Sequence, residues 1–155
     1  MKRGFTIIEL LVVVAVIGIL VTIVLSATTT SRKRAADARV KAQITQGKAA
    51  AEIYFGANQT YGPQNISQAS GGAACTGSLF MDVGSGMLSL ANSSVYPSGT
   101  NLICIQNVQD FAFAGSLSTP NEYWCADSST GPGQITITNS GILTAEDDSC
   151  TEMAN

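Results

Sequence analysis

Histidine is absent from all 155 residues. That removes the commonest general base and the commonest metal ligand in one observation. Basic residues are missing from every position after Lys48, whereas nine acidic residues follow it. So acidic a segment repels phosphate backbones, and direct nucleic-acid binding is not expected of it. The four cysteines, Cys75, Cys104, Cys125 and Cys150, include no pair close enough for a C-x-x-C clip, so a zinc site has no ligand set. No nucleophile–base pair, phosphate-cradling loop or metal cluster is legible. An enzyme or a membrane-anchored ligand-binding protein therefore finds no support, and no cofactor is expected.

What is present is sorted along the chain. All eight bases lie at or before Lys48: Lys2, Arg3, Arg32, Lys33, Arg34, Arg39, Lys41 and Lys48. Between the first two and the next three runs FTIIELLVVVAVIGILVTIVLSA, residues 5 to 27, with polar interruptions at Thr6, Glu9 and Thr22. As a helix this run is about 34 Å long, enough to cross a hydrocarbon core of about 30 Å. Lys2 and Arg3 place the N-terminus in the cytoplasm and the remainder outside. An ordinary secretory signal fits less well, because the apolar run is long and the helical pattern continues beyond Ser26-Ala27-Thr28. Ala36, Val40, Ile44, Gly47, Ala51 and Tyr54/Phe55 recur at three- and four-residue steps, and no proline falls between Ala27 and Phe55. One helix from residue 6 to 55 is expected, about 75 Å long.

Glu9 is the anomaly in this helix. The macrodipole favours an acid near a helix start. Yet Glu9 sits among Ile7, Ile8, Leu10 and Leu11, where an ionised carboxylate costs about 2–3 kcal/mol. It calls for a cation, and an amine freed at Phe5 by cleavage after Gly4 would supply one.

Met1-Lys2-Arg3-Gly4 followed by Phe5-Thr6-Ile7-Ile8-Glu9-Leu10-Leu11 closely resembles the class III leader of type IV pilins and type II secretion pseudopilins. The resemblance spans roughly the first 30 residues. It implies that a prepilin peptidase cuts after Gly4 and that Phe5 becomes the methylated N-terminus. It also implies that Glu9 pairs with a neighbouring copy's terminus and sets the register of a helical filament. The partners so implied are copies of the chain, the peptidase, the inner membrane and a pilus or secretion assembly platform. The precursor would lie in the inner membrane, and the assembled filament outside the cell, serving adhesion, motility or DNA uptake; protein export by a pseudopilin is the alternative. Many type IV pilins carry proline at the position of Ser26, where the helix loosens; here only Gly18 offers such a weakness.

The expected fold is α+β and pilin-like: a helical spine packed on a small antiparallel sheet. The expected divisions are a cleaved leader (1–4), a transmembrane and assembly half-helix (5–27), an amphipathic half-helix (28–55) and a disulfide-stabilised head (56–155). In the head, NQTYGP leads into a loop over 64–77, and 79–91 forms a short helix or an irregular connector. Strands are expected at 102–106, 109–115, 122–126 and 134–138, the second and third joined through Ser118-Thr119-Pro120-Asn121. They make a sheet of three or four strands. Three disulfide pairings are open; Cys75–Cys104 with Cys125–Cys150 closes the most compact loops. YWCADSSTG resembles segments of disulfide-bearing pilin-like proteins, and Trp124 is expected in the core. Two clusters carry further expectations. Resemblance to major pseudopilins points to calcium at Asp127, Glu146, Asp147 and Asp148, although a solvated acidic turn is the simpler reading. Arg32, Lys33 and Arg34 face lipid phosphates before assembly and the acidic head of an adjacent subunit afterwards.

Overall fold

The computed structural model describes residues 5–62, 66–70, 75–137 and 149–150. The chain divides into two compact units, Met1–Ala35 and Ala36–Asn155. Helix α1, Ile7–Asn58, supplies the described part of the first unit after Thr6 and the opening of the second. It runs three residues past Phe55, where the periodicity pointed to an end. Asn58 and Gln59 close it, their side-chain amides donating to the carbonyls of Tyr54 (3.0 Å) and Gly56 (3.1 Å), with Gln59 in the left-handed region at φ 57°.

The second unit is an antiparallel meander whose strands lie in chain order: β1 (Ile66–Ser70), β2 (Leu102–Gln106), β3 (Phe111–Ser116), β4 (Glu122–Asp127) and β5 (Gly133–Thr136). Short helix α2, Met87–Leu90, and a 3-10 turn, Ser93–Val95, bridge β1 to β2. Each reversal has its own chemistry. Between β2 and β3 the Asn107 side chain accepts from the N–H groups of Gln109 (2.8 Å) and Asp110 (2.7 Å). That is the local bonding by which asparagine favours turns. Between β3 and β4, Asn121 adopts φ 63°, a conformation it tolerates better than most residues.

The sheet has five strands where the sequence pointed to three or four. The strand missed is β1, within the segment read as a loop. ISQAS has a single strong β-former, and its pairing with β2, from Ile66↔Gln106 to Ser70↔Leu102, joins main chains. Backbone pairing of an edge strand needs no apolar pattern, so none was there to read. The last strand ends at Thr136; Thr138, the end of its expected range, lies outside the described residues.

β2 and most of β3 are buried at every position rather than at alternate ones. The reason is that the sheet is covered on both faces. Leu102, Cys104, Phe111 and Phe113 share one cluster with Val40, Ile44, Ala50 and Ala51 of α1, and with Leu79, Phe80 and Met87. Ile103, Ile105, Ala112 and Ala114 share the other with Cys125, Ile137 and Cys150. Of the expected stripe of α1, Val40, Ile44, Gly47 and Ala51 are buried and Ala36, Tyr54 and Phe55 half-buried, and Ala50, which the periodicity did not single out, is buried with them.

Two glycines set how closely α1 approaches the sheet. A Cβ at Gly47 falls 2.7 Å from Phe113 Cδ1, and a Cβ at Gly115 falls 2.9 Å from Val40 Cγ1. Helix and strand each give up a side chain where the other presents a bulky one. Trp124 is half-buried at the margin of this contact rather than within the core. Its Nε1 donates to Thr45 Oγ1 at 3.2 Å, and Lys41 Nζ stands 4.8 Å from its ring centroid.

Gly47→Ala is expected to destabilise the head by about 1–3 kcal/mol, because Phe113 is fully buried and has nowhere to move. Gly56→Ala, on the same helix with nothing within 4 Å, should instead stabilise by up to about 1 kcal/mol through helix propensity. Urea melts of the detergent-solubilised chain, followed by near-UV circular dichroism, compare the two. Equal shifts would mean that the close approach at Gly47 is not restrictive.

Candidate processing and assembly site

The start of α1 has a defined local structure. Thr6 N–H and Thr6 Oγ1 both donate to Glu9 Oε2, at 2.9 and 2.8 Å, and Glu9 N–H donates back to Thr6 Oγ1 at 3.3 Å. This is a reciprocal capping box, in which a threonine and a glutamate three residues on satisfy the unpaired donors of a helix start. Thr6 was not singled out as a functional residue in the sequence, although T-x-x-E carries that signature. Phe5, one residue ahead, is 80 % exposed. Gly4, the expected cut site, lies outside the described residues with Met1, Lys2 and Arg3.

From Ile7 through Leu25 every side chain is exposed, and the apolar run is broken only by Glu9, Gly18 and Thr22. Its most apolar 18-residue stretch has a mean hydropathy of 3.1, long and apolar enough to cross a membrane. The hydroxyls near its far end turn back on the helix. Thr22 donates to the carbonyl of Ile19 (2.8 Å), Thr28 to that of Val24 (2.7 Å) and Thr29 to that of Ser26 (2.9 Å). Hydroxyls satisfied this way can enter an apolar medium without leaving a donor unpaired.

The basic residues have different fates. Arg32, Lys33 and Arg34 are exposed. Lys48 is half-buried and its ammonium donates to two main-chain carbonyls, that of Asp127 at the end of β4 (2.9 Å) and that of Thr130 in the β4–β5 loop. A helix cation thereby anchors the end of β4 and the loop after it through main-chain carbonyls.

Asp127 organises the same loop from the other side. Its Oδ1 accepts from the N–H groups of Ser129 (3.0 Å) and Thr130 (2.5 Å), and its Oδ2 accepts from Cys150 N–H (2.8 Å). The Thr130 hydroxyl donates to both oxygens, at 2.9 and 3.0 Å. Burial acts to raise this carboxyl's pKa, but the hydrogen bonds from Thr130, Cys150 and Ser129 outweigh it and hold the group below the usual carboxylate range. Donors converging on a carboxylate stabilise its charge. They also occupy the lone pairs that a calcium ion would need, so Asp127 is built as an acceptor of N–H and O–H groups. Glu146, Asp147 and Asp148 lie outside the described residues, and among the described residues no three acidic or cysteine side chains form a metal-binding group.

The disulfides are Cys75–Cys104 and Cys125–Cys150, the sequential pairing, with Cα–Cα distances of 5.9 and 5.8 Å. Each ties a connecting segment to a central strand, closing loops of 29 and 25 residues. Loops of that size correspond to roughly 3.5 kcal/mol each in the chain-entropy view. Cys150 is thus held to β4 twice, through Cys125 covalently and through Asp127 by its N–H.

Residues 1–25 match the family described as "Prokaryotic N-terminal methylation motif". Leaders of this kind are typical of type IV pilins and pseudopilins. No curated protein and no solved structure matches the chain. The motif covers the capping box and most of the apolar helix, while the α+β, pilin-like architecture is read from the head itself.

Because the Asp127 carboxyl is held low in the fold, its contribution is complete above the unfolded value of about 3.9 and is lost as pH falls through the folded value. Asp127→Asn should therefore lower stability by about 1–3 kcal/mol at pH 7, and the gap to the parent should close below about pH 4. Melts of the detergent-solubilised chain across pH 3–7 read this out. A gap unchanged with pH would show that the charge of Asp127 does not matter to the loop.

Proposed function

We propose that this chain is the precursor of a structural filament subunit of the type IV pilus kind, and not an enzyme. The observation that carries the reading is the methylation motif at residues 1–25, placed on an apolar helix and followed in the chain by a disulfide-bonded α+β head. The precursor is inserted in the inner membrane with its N-terminus in the cytoplasm and its head outside, where disulfides persist. Prepilin peptidase removes residues 1–4 after Gly4, whose missing side chain suits an extended backbone in a protease cleft. Methylation then falls on Phe5. An assembly platform adds the mature chain to copies of itself, and the fibre serves adhesion, motility or DNA uptake.

The chemistry of assembly follows from Glu9. Among the described residues its carboxylate accepts from Thr6, at the start of its own helix. Cleavage creates a cationic amine at Phe5, and a staggered neighbour brings its own amine to the same carboxylate. A charge-assisted bond replaces water or headgroup contacts there, and any other stagger leaves an anion unpaired in an apolar seam. Glu9 thus selects register more than it adds stability. At the other end of the apolar run, Arg32, Lys33 and Arg34 pass from lipid phosphates to the acidic head of an adjacent subunit.

Mass spectrometry of material sheared from cells tests the central claim. A chain beginning at methylated Phe5 and abundant in the sheared fraction is expected, gaining four hydrogens on reduction of two disulfides. The mature chain confined to membranes would favour the secretion pseudopilin, and an uncut Met1 terminus would sink both. Reversing the charges of Arg32, Lys33 and Arg34 together should reduce sheared filament several-fold, by about the magnitude of lost steering and contact charges, with membrane insertion unchanged. Undiminished filament from that variant would remove the cluster from the assembly surface.

A further inference from the structure

Leu79 and Phe80 are fully buried, but the large apolar side chains that follow them are not. Met81 is 58 % exposed, Val83 76 % and Leu88 41 %. Among the described residues of 36–155, only Ile53 and Val108 join them as exposed large hydrophobics. Met81 and Val83 flank Asp82 in the chain, and Leu88 in α2 is tied to the same place, its N–H donating to the Asp82 carbonyl at 3.0 Å. The carboxylate of half-buried Asp82 accepts from Ser85 N–H at 2.6 Å, which fixes the direction of the anion. Exposed apolar side chains and an oriented negative charge thus share one short stretch of chain. Exposed apolar side chains concentrated in this way mark an interaction surface.

The cation for Asp82 must come from α1, since no base follows Lys48. Arg32, Lys33 and Arg34 already have a place in the filament reading, at the end of the apolar run, and the rest of α1 offers three candidates. Lys48 is bound to the Asp127 and Thr130 carbonyls, and Lys41 stands over Trp124. Arg39 is left: it is exposed and takes no hydrogen bond or ion pair among the described residues. Ala38 and Ala42 beside it on the helix are exposed as well. Small side chains admit another surface close to the helix, and a guanidinium offers a carboxylate two parallel hydrogen bonds.

We propose that the loop 82–88 of one copy docks on the Ala38–Arg39–Ala42 face of α1 in a second copy. Asp82 accepts from Arg39 of that copy, while Met81, Val83 and Leu88 cover its alanines. The contact rests on the filament reading, in which many copies of α1 are presented side by side, and it names one surface that holds neighbouring heads. It is separate from the Glu9 pairing in the apolar seam and from the Arg32–Arg34 cluster.

The test is the yield of filament sheared from cells making the full chain, normalised to the chain in membranes. Asp82→Arg and Arg39→Glu should each lower the yield roughly tenfold, since like charges then meet at every subunit contact. The double exchange should return it to within about threefold of the parent, the non-additivity expected of a direct pair. Asp82→Asn keeps an acceptor for Ser85 N–H and removes only the charge, so its expected loss of about threefold cannot be ascribed to a broken loop. Parent-level yield from the single variants, or no recovery in the double exchange, overturns the contact and leaves the filament reading standing. A parent chain that yields no filament overturns the filament reading and this contact with it.

Discussion

The close seat of α1 on the sheet is the contact from which the head is organised. Gly47 admits the ring of Phe113, and Gly115 admits Val40 and Ile44. With that spacing, one face of β2 and β3 meets the helix and the other is left for Ile137 and the Cys125–Cys150 bridge. A sheet of five short strands gains two cores in this way. The unit is small, and the buried area per residue available from one core alone would be modest. Two disulfides and a second covered face offset that shortage.

Polar groups in the head are placed where the main chain needs them. Lys48 binds two main-chain carbonyls, one at the end of β4 and one in the loop after it. Among the described residues, Asp127 gathers three N–H groups and two hydroxyls on its carboxylate. Gln106, fully buried, accepts from Leu79 N–H at 3.2 Å and donates to Ser78 Oγ at 3.2 Å. Each side chain satisfies backbone groups of segments that lack a regular ladder, which is what irregular connections require when they are drawn against a core. Arg39, by contrast, is exposed and Asp82 half-buried at the edge of the head.

Much of this was legible in the chain. The apolar run, the continuing helical periodicity and the four strands rich in aliphatic and aromatic residues all follow from side-chain patterns. The sequential disulfides agree with loop economy. Other features left no such mark. β1 is made by main-chain pairing, so its polar sequence reads as loop. Asp127 looked like one member of an acidic cluster, and only the converging N–H groups of Ser129, Thr130 and Cys150 show its task. Trp124, expected in the core, lies at its margin because Thr45 and Lys41 hold its polar edge and its face near the surface. Thr6 was visible as a spacing to Glu9, but its bonds became explicit only with the helix start in place.

The sequence by itself determined the order of parts: a methylation motif on an apolar helix, an amphipathic continuation, then an acidic head without bases. Such features are properties of neighbours along the chain, and periodicity or composition records them. Tertiary structure alone decided which long-range groups meet. Gly47 with Phe113, Lys48 with Thr130 and Asp127 with Cys150 are separated by 66, 82 and 23 residues. No local propensity encodes those meetings, because they depend on the packing of a helix against a sheet whose register is set only once both have formed.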